Sequence, residues 1–145
     1  MSAVRPRHDF GPLDIERLEE RLYEHNVAAT GHADGRGLGF EALDDEGRQI
    51  AAVAGHTWGG VAEIVQVWVD PAHRGRGLGR QLVEAAIAEA RARGCRSMCL
   101  MTYDFQAPGL YAALGFERVV EVADWPLGHT HILMRLSLVT GGDQT

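Results

Sequence analysis

Residues 67–80 read Val-Trp-Val-Asp-Pro-Ala-His-Arg-Gly-Arg-Gly-Leu-Gly-Arg, and this segment holds most of the information about the fold. An apolar strand ends at Val69, Asp70-Pro71 begins a turn, and a loop rich in glycine and arginine leads into a helix. Glycines lack Cβ atoms, so the backbone amides of such a loop can close around an anion. The unpaired N–H groups at a helix start add to that attraction. The segment therefore predicts a phosphate-binding loop.

The segments on either side predict a mixed α/β (α+β) fold. The spacing of Ile15, Leu18 and Leu22 predicts a helix from 12 to about 26, and a polar, glycine-rich loop is predicted over 25–37. Strands are predicted at 38–43, 50–58, 61–69, 96–102, 116–122 and 131–138, with helices over 77–93 and 108–115. Hairpins precede the crossing helices, so we expect a mixed sheet rather than a purely parallel one.

One pentapeptide occurs twice. Gly-Arg-Gly-Leu-Gly stands at 35–39 and again at 75–79. Only the second copy lies between a strand and a helix, which is the context that a phosphate loop requires. The first copy is expected to be a flexible loop.

Length and composition limit the possible classes of protein. The 145 residues, 46% hydrophobic and 23% charged, predict one globular domain over 1–145, ordered over about 10–138 with a tail at 139–145. There is no lysine, which excludes a Walker-type phosphate loop and a pyridoxal Schiff base. No signal-like or 18-residue apolar run occurs, so we expect a cytoplasmic protein without a membrane span.

Charge is distributed unevenly along the chain. The formal net charge is −6, yet residues 71–100 carry six arginines and only two acids. A basic segment in an acidic protein predicts a site for an anionic ligand rather than a nucleic-acid surface. Arg91 and Arg93, in the last helical turn, are expected to lie on a solvated face.

A dinucleotide site is disfavoured by the glycine spacing. The loop has Gly-x-Gly-x-Gly instead of Gly-x-Gly-x-x-Gly, and the next strand ends in Met101 and Thr102 without an acidic residue for a ribose. A dinucleotide-dependent enzyme is therefore the weakest of the functional hypotheses.

Two motifs, Arg74-x-x-Gly77-x-Gly79 in the loop and Ala107-x-x-Leu110-Tyr111-x-x-x-Gly115-Phe116 downstream, resemble those of the Gcn5-related N-acetyltransferases, the GNAT superfamily, and indicate a bacterial member. Arg74-x-x-Gly77-x-Gly79 is similar to the family's Arg/Gln-x-x-Gly-x-Gly/Ala motif. Ala107-x-x-Leu110-Tyr111-x-x-x-Gly115-Phe116 looks like its C-terminal segment. The resemblance covers about residues 10–138.

The resemblance implies acetyl-CoA as co-substrate and a mostly antiparallel sheet, splayed at the cofactor cleft and flanked by helices. The loop would hold the pyrophosphate, and the end of the preceding strand would pair with the pantetheine arm. Many relatives have asparagine where this chain has Asp104. The residues implied to bind the cofactor are Val67, Trp68, Val69, Arg74, Gly75, Arg76, Gly77, Leu78, Gly79, Arg80, Asp104 and Ala107.

The resemblance also implies that Tyr111 is the general acid. Expulsion of coenzyme A leaves a thiolate, and a phenol with a pKa of about 10 can donate to it as charge develops. The alternative is a tyrosine that only packs a short helix.

Glu63 is the candidate general base, because it is the one acid in the apolar strand 61–69 and stands in a run similar to Ala-Glu-Ile-Val in histone-acetylating relatives. An alkylamine with a pKa of about 10.4 is neutral in only about one molecule in 2,500 at pH 7, a deficit of roughly 4–5 kcal/mol. The alternative is a glutamate that faces solvent.

The sequence indicates less about the acceptor site than about the cofactor site. Trp58, Tyr103, Phe105 and Trp125 lie near strand ends that should border the cleft. His129 and His131 are alternatives as base or substrate ligand. No third ligand accompanies them, so we expect no metal site.

We expect an N-acetyltransferase that moves the acetyl group directly to a primary amine in a ternary complex, since Cys95 and Cys99 have no evident histidine partner and read as reduced thiols. A small-molecule acceptor is slightly favoured over a protein. The alternative is a non-catalytic acyl-CoA-binding sensor or interaction module. Dimers are common among similar proteins, and a homodimer is expected only on the basis of this analogy.

Overall fold

The computed structural model describes residues 2–139. The chain divides into two compact units, Met1–Ala33 and Asp34–Thr145. The single domain expected over 1–145 stays a prediction. The expected tail falls outside the described residues except for Val139.

The first unit contains one long helix, α1, Pro12–Thr30. Pro12 suits the first turn because its missing N–H is one that no helical carbonyl would accept. The Asp14 carboxylate accepts the Gly11 N–H at 3.0 Å and caps the start. The helix extends four residues beyond the predicted end near Asn26, so the loop prediction was wrong for this part of 25–37.

The second unit is built on a six-stranded sheet with spatial order β1-β2-β3-β4-β6-β5. Its strands are β1 Arg36–Leu43, β2 Gln49–Trp58, β3 Val61–Val69, β4 Ser97–Tyr103, β5 Glu117–Ala123 and β6 Thr130–Ser137. Its helices are α2 Leu78–Ala92 and α3 Pro108–Ala113, and a 3₁₀ turn spans Pro71–His73. Neighbouring strands are antiparallel except β3 and β4, which are parallel. The expected mixed, mostly antiparallel sheet with flanking helices is confirmed.

Strands β3 and β4 separate halfway along their length. Their pairing covers only Val61–Ile64 against Ser97–Leu100. Beyond that point β3 continues to Val69 while β4 stays paired with β6. The side of β3 that faces β4 is thus an open strand edge over its last five residues.

A β-bulge lies at the point of separation. Ala54 pairs with Gln66 and Gly55 pairs with Ile64, so Val65 is the extra residue on β3. Bulges bend the strand that carries them. A Cβ atom at Gly55 would collide with the carbonyl oxygen of Glu63 and lie 3.1 Å from the Ile64 Cα, so only glycine fits beside the bulge.

Helix α2 covers one face of the sheet, which we call the core face. Its buried stripe consists of Leu82, Val83, Ala86, Ile87 and Ala90. Arg93, the residue after the helix, was expected to lie on a solvated face. This prediction was wrong, because the Arg93 side chain is only 14% exposed. Its guanidinium donates to the Gly37 carbonyl and to the Thr57 hydroxyl, both at 3.0 Å, and so joins the helix end to β1 and β2.

The first copy of the repeated pentapeptide is not a flexible loop. Residues 36–39 belong to β1, where Leu38 pairs with Gly55 and is buried. The prediction was wrong because burial of Leu38 and the backbone ladder with β2 outweigh the weak strand tendency of glycine.

No helix within residues 2–139 is long and apolar enough to cross a membrane.

Candidate active site

A cleft of about 470 Å³ lies where β3 and β4 separate. The end of β3 forms one wall, and the residues after β4 together with α3 form the other. The lining residues are Ile64, Val65, Gln66, Val67, Trp68, Val69, Arg74, Gly79, Leu100, Met101, Phe105, Gln106, Ala107, Leu110 and Tyr111. Of the sequence-predicted residues, this brings together 67–69, Arg74, Gly79, Ala107 and Tyr111.

The loop after β3 is fixed by short polar contacts. The Asp70 N–H donates to the Ile50 carbonyl at 2.7 Å, and its carboxylate lies 2.8 Å from the His73 Nδ1 atom. The Arg74 Nε–H donates to the Val69 carbonyl at 3.1 Å. These contacts hold the loop against the strand end, so its backbone is preorganised for a ligand.

The start of α2 offers unpaired amides. Gly77 precedes the helix with a φ of 79°, in the left-handed region that favours glycine, and no side chain caps this end. The first helical bond runs from the Gln81 N–H to the Gly77 carbonyl. The N–H groups of residues 78–80 therefore have no partner among the described residues, which fits a bound phosphate group.

The three loop arginines differ in their engagement. Arg74 is tied to β3 and lines the cleft. The Nε atom of Arg80 donates to Glu84 at 2.8 Å along the exposed helix face. Arg76 is exposed and has no ion pair among residues 2–139. It is thus the loop arginine with the least competition for an anionic ligand.

Tyr111 lies on α3 and is 7% exposed. Its ring packs edge-on against Phe116 with centroids 5.8 Å apart. Burial raises the pKa of the Tyr111 phenol above its ordinary value, which keeps the hydroxyl protonated. The side chain combines a place in the hydrophobic core with a position in the wall of the cleft.

Glu63 lies outside the cleft lining. Its neighbours Ala62 and Ile64 are buried on the core face, so alternation along the strand directs Glu63 to the opposite face of the sheet, which we call the open face. Its carboxylate is 3.3 Å from the His56 Nε2 atom, and its side chain is 55% exposed. Tyr111 and Glu63 therefore stand on different faces of the sheet, near the point where β3 and β4 separate.

Asp104 is engaged away from the cleft. One carboxylate oxygen lies 3.0 Å from the His129 Nδ1 atom, and the other accepts the Thr130 N–H at 3.1 Å. Gln106, which sequence reasoning did not single out, lines the cleft instead. Its Oε1 atom accepts the Tyr103 N–H at 2.9 Å and closes the turn before α3. A polar residue two positions before the start of α3 was the available signal.

Five rings form an aromatic cluster at the end of β4. The members are Tyr103, Phe105, Trp125, His129 and His131. Tyr103 is stacked between Phe105, at 5.2 Å, and His131, at 4.1 Å. Trp58, also expected near the cleft, instead closes the β2–β3 hairpin at the opposite end of β3.

Neither thiol is in surroundings that activate it as a nucleophile. Burial raises the pKa of Cys95 and of Cys99; for Cys99 the Arg135 guanidinium opposes this effect and the Glu63 carboxylate adds to it. Neither thiol lines the cleft. Among residues 2–139, no three His, Cys, Asp or Glu side chains are grouped closely enough to hold a metal ion.

Comparison with known proteins identifies relatives over most of the chain. The sequence model of the acetyltransferase (GNAT) family matches residues 7–116. Blasticidin-S acetyltransferase of Streptomyces morookaense is 38% identical over 98 residues, which cover 65% of this chain and 71% of that protein. An acetyltransferase of Agrobacterium fabrum is 29% identical over 112 residues, which cover 77% and 82% of the two chains.

A solved structure has the same fold. The crystal structure of an acetyltransferase from Bacillus cereus superposes with a TM-score of 0.76 and 23% sequence identity, covering 92% of this chain and 97% of that one.

Proposed function

The chain belongs to the acetyltransferase (GNAT) family and is an acetyl-CoA-dependent N-acetyltransferase, and we propose that it acetylates a small-molecule amine by direct transfer within a ternary complex. The observation that carries this proposal is the cleft between β3 and β4, which reaches from the amides at the start of α2 to Tyr111. One end of the cleft suits a phosphate group, and the other end holds Tyr111, the candidate general acid. A thioester bound between the two ends would therefore lie near a proton donor.

We propose the following division of roles. The amides of residues 78–80, with Arg74 and Arg76, hold the pyrophosphate of the co-substrate. The open edge of β3 at Val67–Val69 pairs with its amide-containing arm. These contacts leave the acetyl carbonyl close to the point where β3 and β4 separate, which is open to both faces of the sheet.

Bond making and breaking then need two proton transfers. A neutral amine attacks the acetyl carbon from the open face, the N–C bond forms, and the C–S bond breaks. Tyr111 donates its proton to the departing sulfur from the core face. Glu63, directly or through water, accepts the proton that the amine nitrogen loses.

Direct transfer is supported by the state of the thiols. An acetyl-enzyme requires an activated nucleophile, usually a thiolate with a lowered pKa. The pKa of both cysteines is raised instead. Initial-velocity plots with both substrates varied should therefore intersect, whereas parallel lines would indicate an acetyl-enzyme.

A small-molecule acceptor is supported by a relative. The Streptomyces protein, 38% identical, is named for blasticidin S, a small molecule. The alternative within the same reaction is a protein acceptor, which would give binding of acetyl-CoA without transfer to small amines.

The decisive experiment has two steps. Calorimetric titration with acetyl-CoA, with NADH as control, tests whether the loop after β3 binds this co-substrate. Thiol release with a panel of small amines then tests transfer. We expect binding of acetyl-CoA alone and release with at least one amine. Binding without release from any small amine would favour a protein acceptor instead.

A further inference from the structure

We propose that the aromatic cluster is the acceptor subsite, and that it takes a cationic amine carried on a flat unsaturated ring. This inference rests on the proposed function, because it names the acceptor class for the same reaction. It depends on where the cluster lies, on which of its surfaces are exposed, and on its charge.

The cluster adjoins the cleft. Phe105 lines the cleft and stacks on Tyr103 with an angle of 4° between the ring planes. Tyr103 pairs with His131 across β4 and β6, and both lie on the same face as Met101, another cleft residue. This is the open face, from which we propose that the amine approaches.

The rings offer flat surfaces to a ligand. Phe105, Tyr103 and His131 form a stack, and Trp125 stands nearly perpendicular to His131 at 4.4 Å. Two members of the cluster are well exposed, Phe105 at 57% and Trp125 at 47%, and His129 packs against Phe105 at 4.9 Å. Exposed aromatic faces bind flat rings by offset stacking and attract cations.

The loop that carries Trp125 is held in place by its own hydrogen bonds. The Trp125 N–H donates to the His129 carbonyl at 3.3 Å, and the His129 N–H donates to the Pro126 carbonyl at 2.9 Å. The Asp124 carboxylate accepts the Gly128 N–H at 3.2 Å. A fixed ring loses little entropy when a ligand stacks on it.

Polar groups in the cluster fit a protonated amine or a ring with hydrogen-bonding atoms. Two carboxylates belong to segments that carry the cluster: Asp104 lies 3.0 Å from the His129 Nδ1 atom, and Asp124 precedes Trp125. His131 is 9% exposed, and its Nδ1 atom has no hydrogen-bond partner within the described part of the chain. Buried polar atoms without partners are uncommon in native proteins and call for a functional explanation.

A matched pair of probes separates stacking from simple burial of apolar surface. We would compare 2-phenylethylamine with 2-cyclohexylethylamine, which carries a saturated ring of similar size, and measure thiol release from acetyl-CoA. We expect kcat/KM to be about two- to tenfold higher for the flat amine, the range given by aromatic pair energies. Equal values would overturn this inference and leave the proposed function intact. No release from either probe or from linear hexylamine would count against the proposed function itself.

Variants then test the location. Trp125→Leu should raise KM for 2-phenylethylamine and abolish the preference for the flat ring, while KM for acetyl-CoA stays within roughly twofold of wild type. Trp125→Phe keeps a flat ring and should retain the preference. Trp58→Leu removes the same side chain at the far end of β3 and serves as the matched control. A preference that survives Trp125→Leu would place the acceptor elsewhere and overturn the inference.

Discussion

Tyr111 shows how burial determines what a single side chain is able to do. Its ring packs among core residues while the side chain lines the cleft. Burial raises the pKa of the phenol, so the protonated form persists throughout the neutral range. A residue required for packing alone would not need its hydroxyl.

Tyr111→Phe separates the two roles. It keeps the ring and removes the proton donor, so kcat should fall by about 10²–10⁴-fold, the usual contribution of a general acid. The dissociation constant of acetyl-CoA should change little, as calorimetry would show. An unchanged kcat would remove Tyr111 from the mechanism.

The same residue predicts an effect on stability at high pH. A phenol whose pKa is raised by folding adds nothing while both states are protonated, and it destabilises the fold as pH rises above the unfolded value of about 10. Denaturant titrations should therefore show a smaller alkaline loss of unfolding free energy for Tyr111→Phe than for the wild type. Equal losses would argue against the raised pKa.

Glu63 is tested by the pH dependence of the rate. Glu63→Gln should lower kcat/KM most at low pH, where nearly all of the amine is protonated, and the loss should shrink towards the amine pKa of about 10. His56→Gln removes the imidazole that lies 3.3 Å from the Glu63 carboxylate and keeps the carboxylate, so it is the control. A loss that is constant across pH would contradict the role of base.

At the scale of elements, the cleft depends on one irregularity. The bulge at Val65 lies where β3 leaves β4, and Gly55 on β2 provides the space for it. A regular strand would have continued to pair with β4 and left no open edge for the co-substrate.

Gly55→Ala should disturb both the fold and the cleft. The added methyl group meets backbone atoms of Glu63, and overpacking of this kind costs about 1–3 kcal/mol of unfolding free energy. Acetyl-CoA affinity should fall with it. Gly39→Ala is the control, because its Cβ would lie 3.5 Å from the Val53 carbonyl oxygen, an ordinary contact. Equal effects of the two variants in chemical denaturation would show that the bulge does not require Gly55.

At the scale of the whole molecule, positive charge is concentrated in residues 71–100, which include the proposed phosphate site, while the rest of the chain is acidic. Six of the 14 arginines lie in 71–100, although the chain has a net charge of −6. A polyanionic co-substrate is therefore attracted locally against an unfavourable overall charge, and salt should weaken its binding.

Arg76→Gln tests the local contribution. It should raise the acetyl-CoA dissociation constant about two- to fivefold at low salt and flatten its salt dependence, because one exposed charge facing a phosphate contributes roughly 0.5–1 kcal/mol. Arg118→Gln gives the same net charge, but its ion pair with Glu121 lies on β5. Equal effects in calorimetry would mean that only net charge matters.

Much of the architecture follows from local patterns. Alternation and helical spacing predicted six strands and three helices in the right order, since these periods reflect which side chains face a core. The loop after β3 was predicted because glycines and arginines before a helix are a local signal. The family resemblance supplied the co-substrate.

Tertiary structure determined which conformation identical segments of sequence adopt. The first copy of Gly-Arg-Gly-Leu-Gly lies in a strand over 36–39, whereas the second, at 75–79, is a loop that leads into a helix. The first copy is a strand because it pairs with β2. The splay after Ile64, the engagement of Asp104 with His129 and the stacking of Tyr103 on His131 likewise depend on segments far apart in sequence. No local pattern encodes such contacts, because they arise from strand register and from the packing of loops brought together by the sheet.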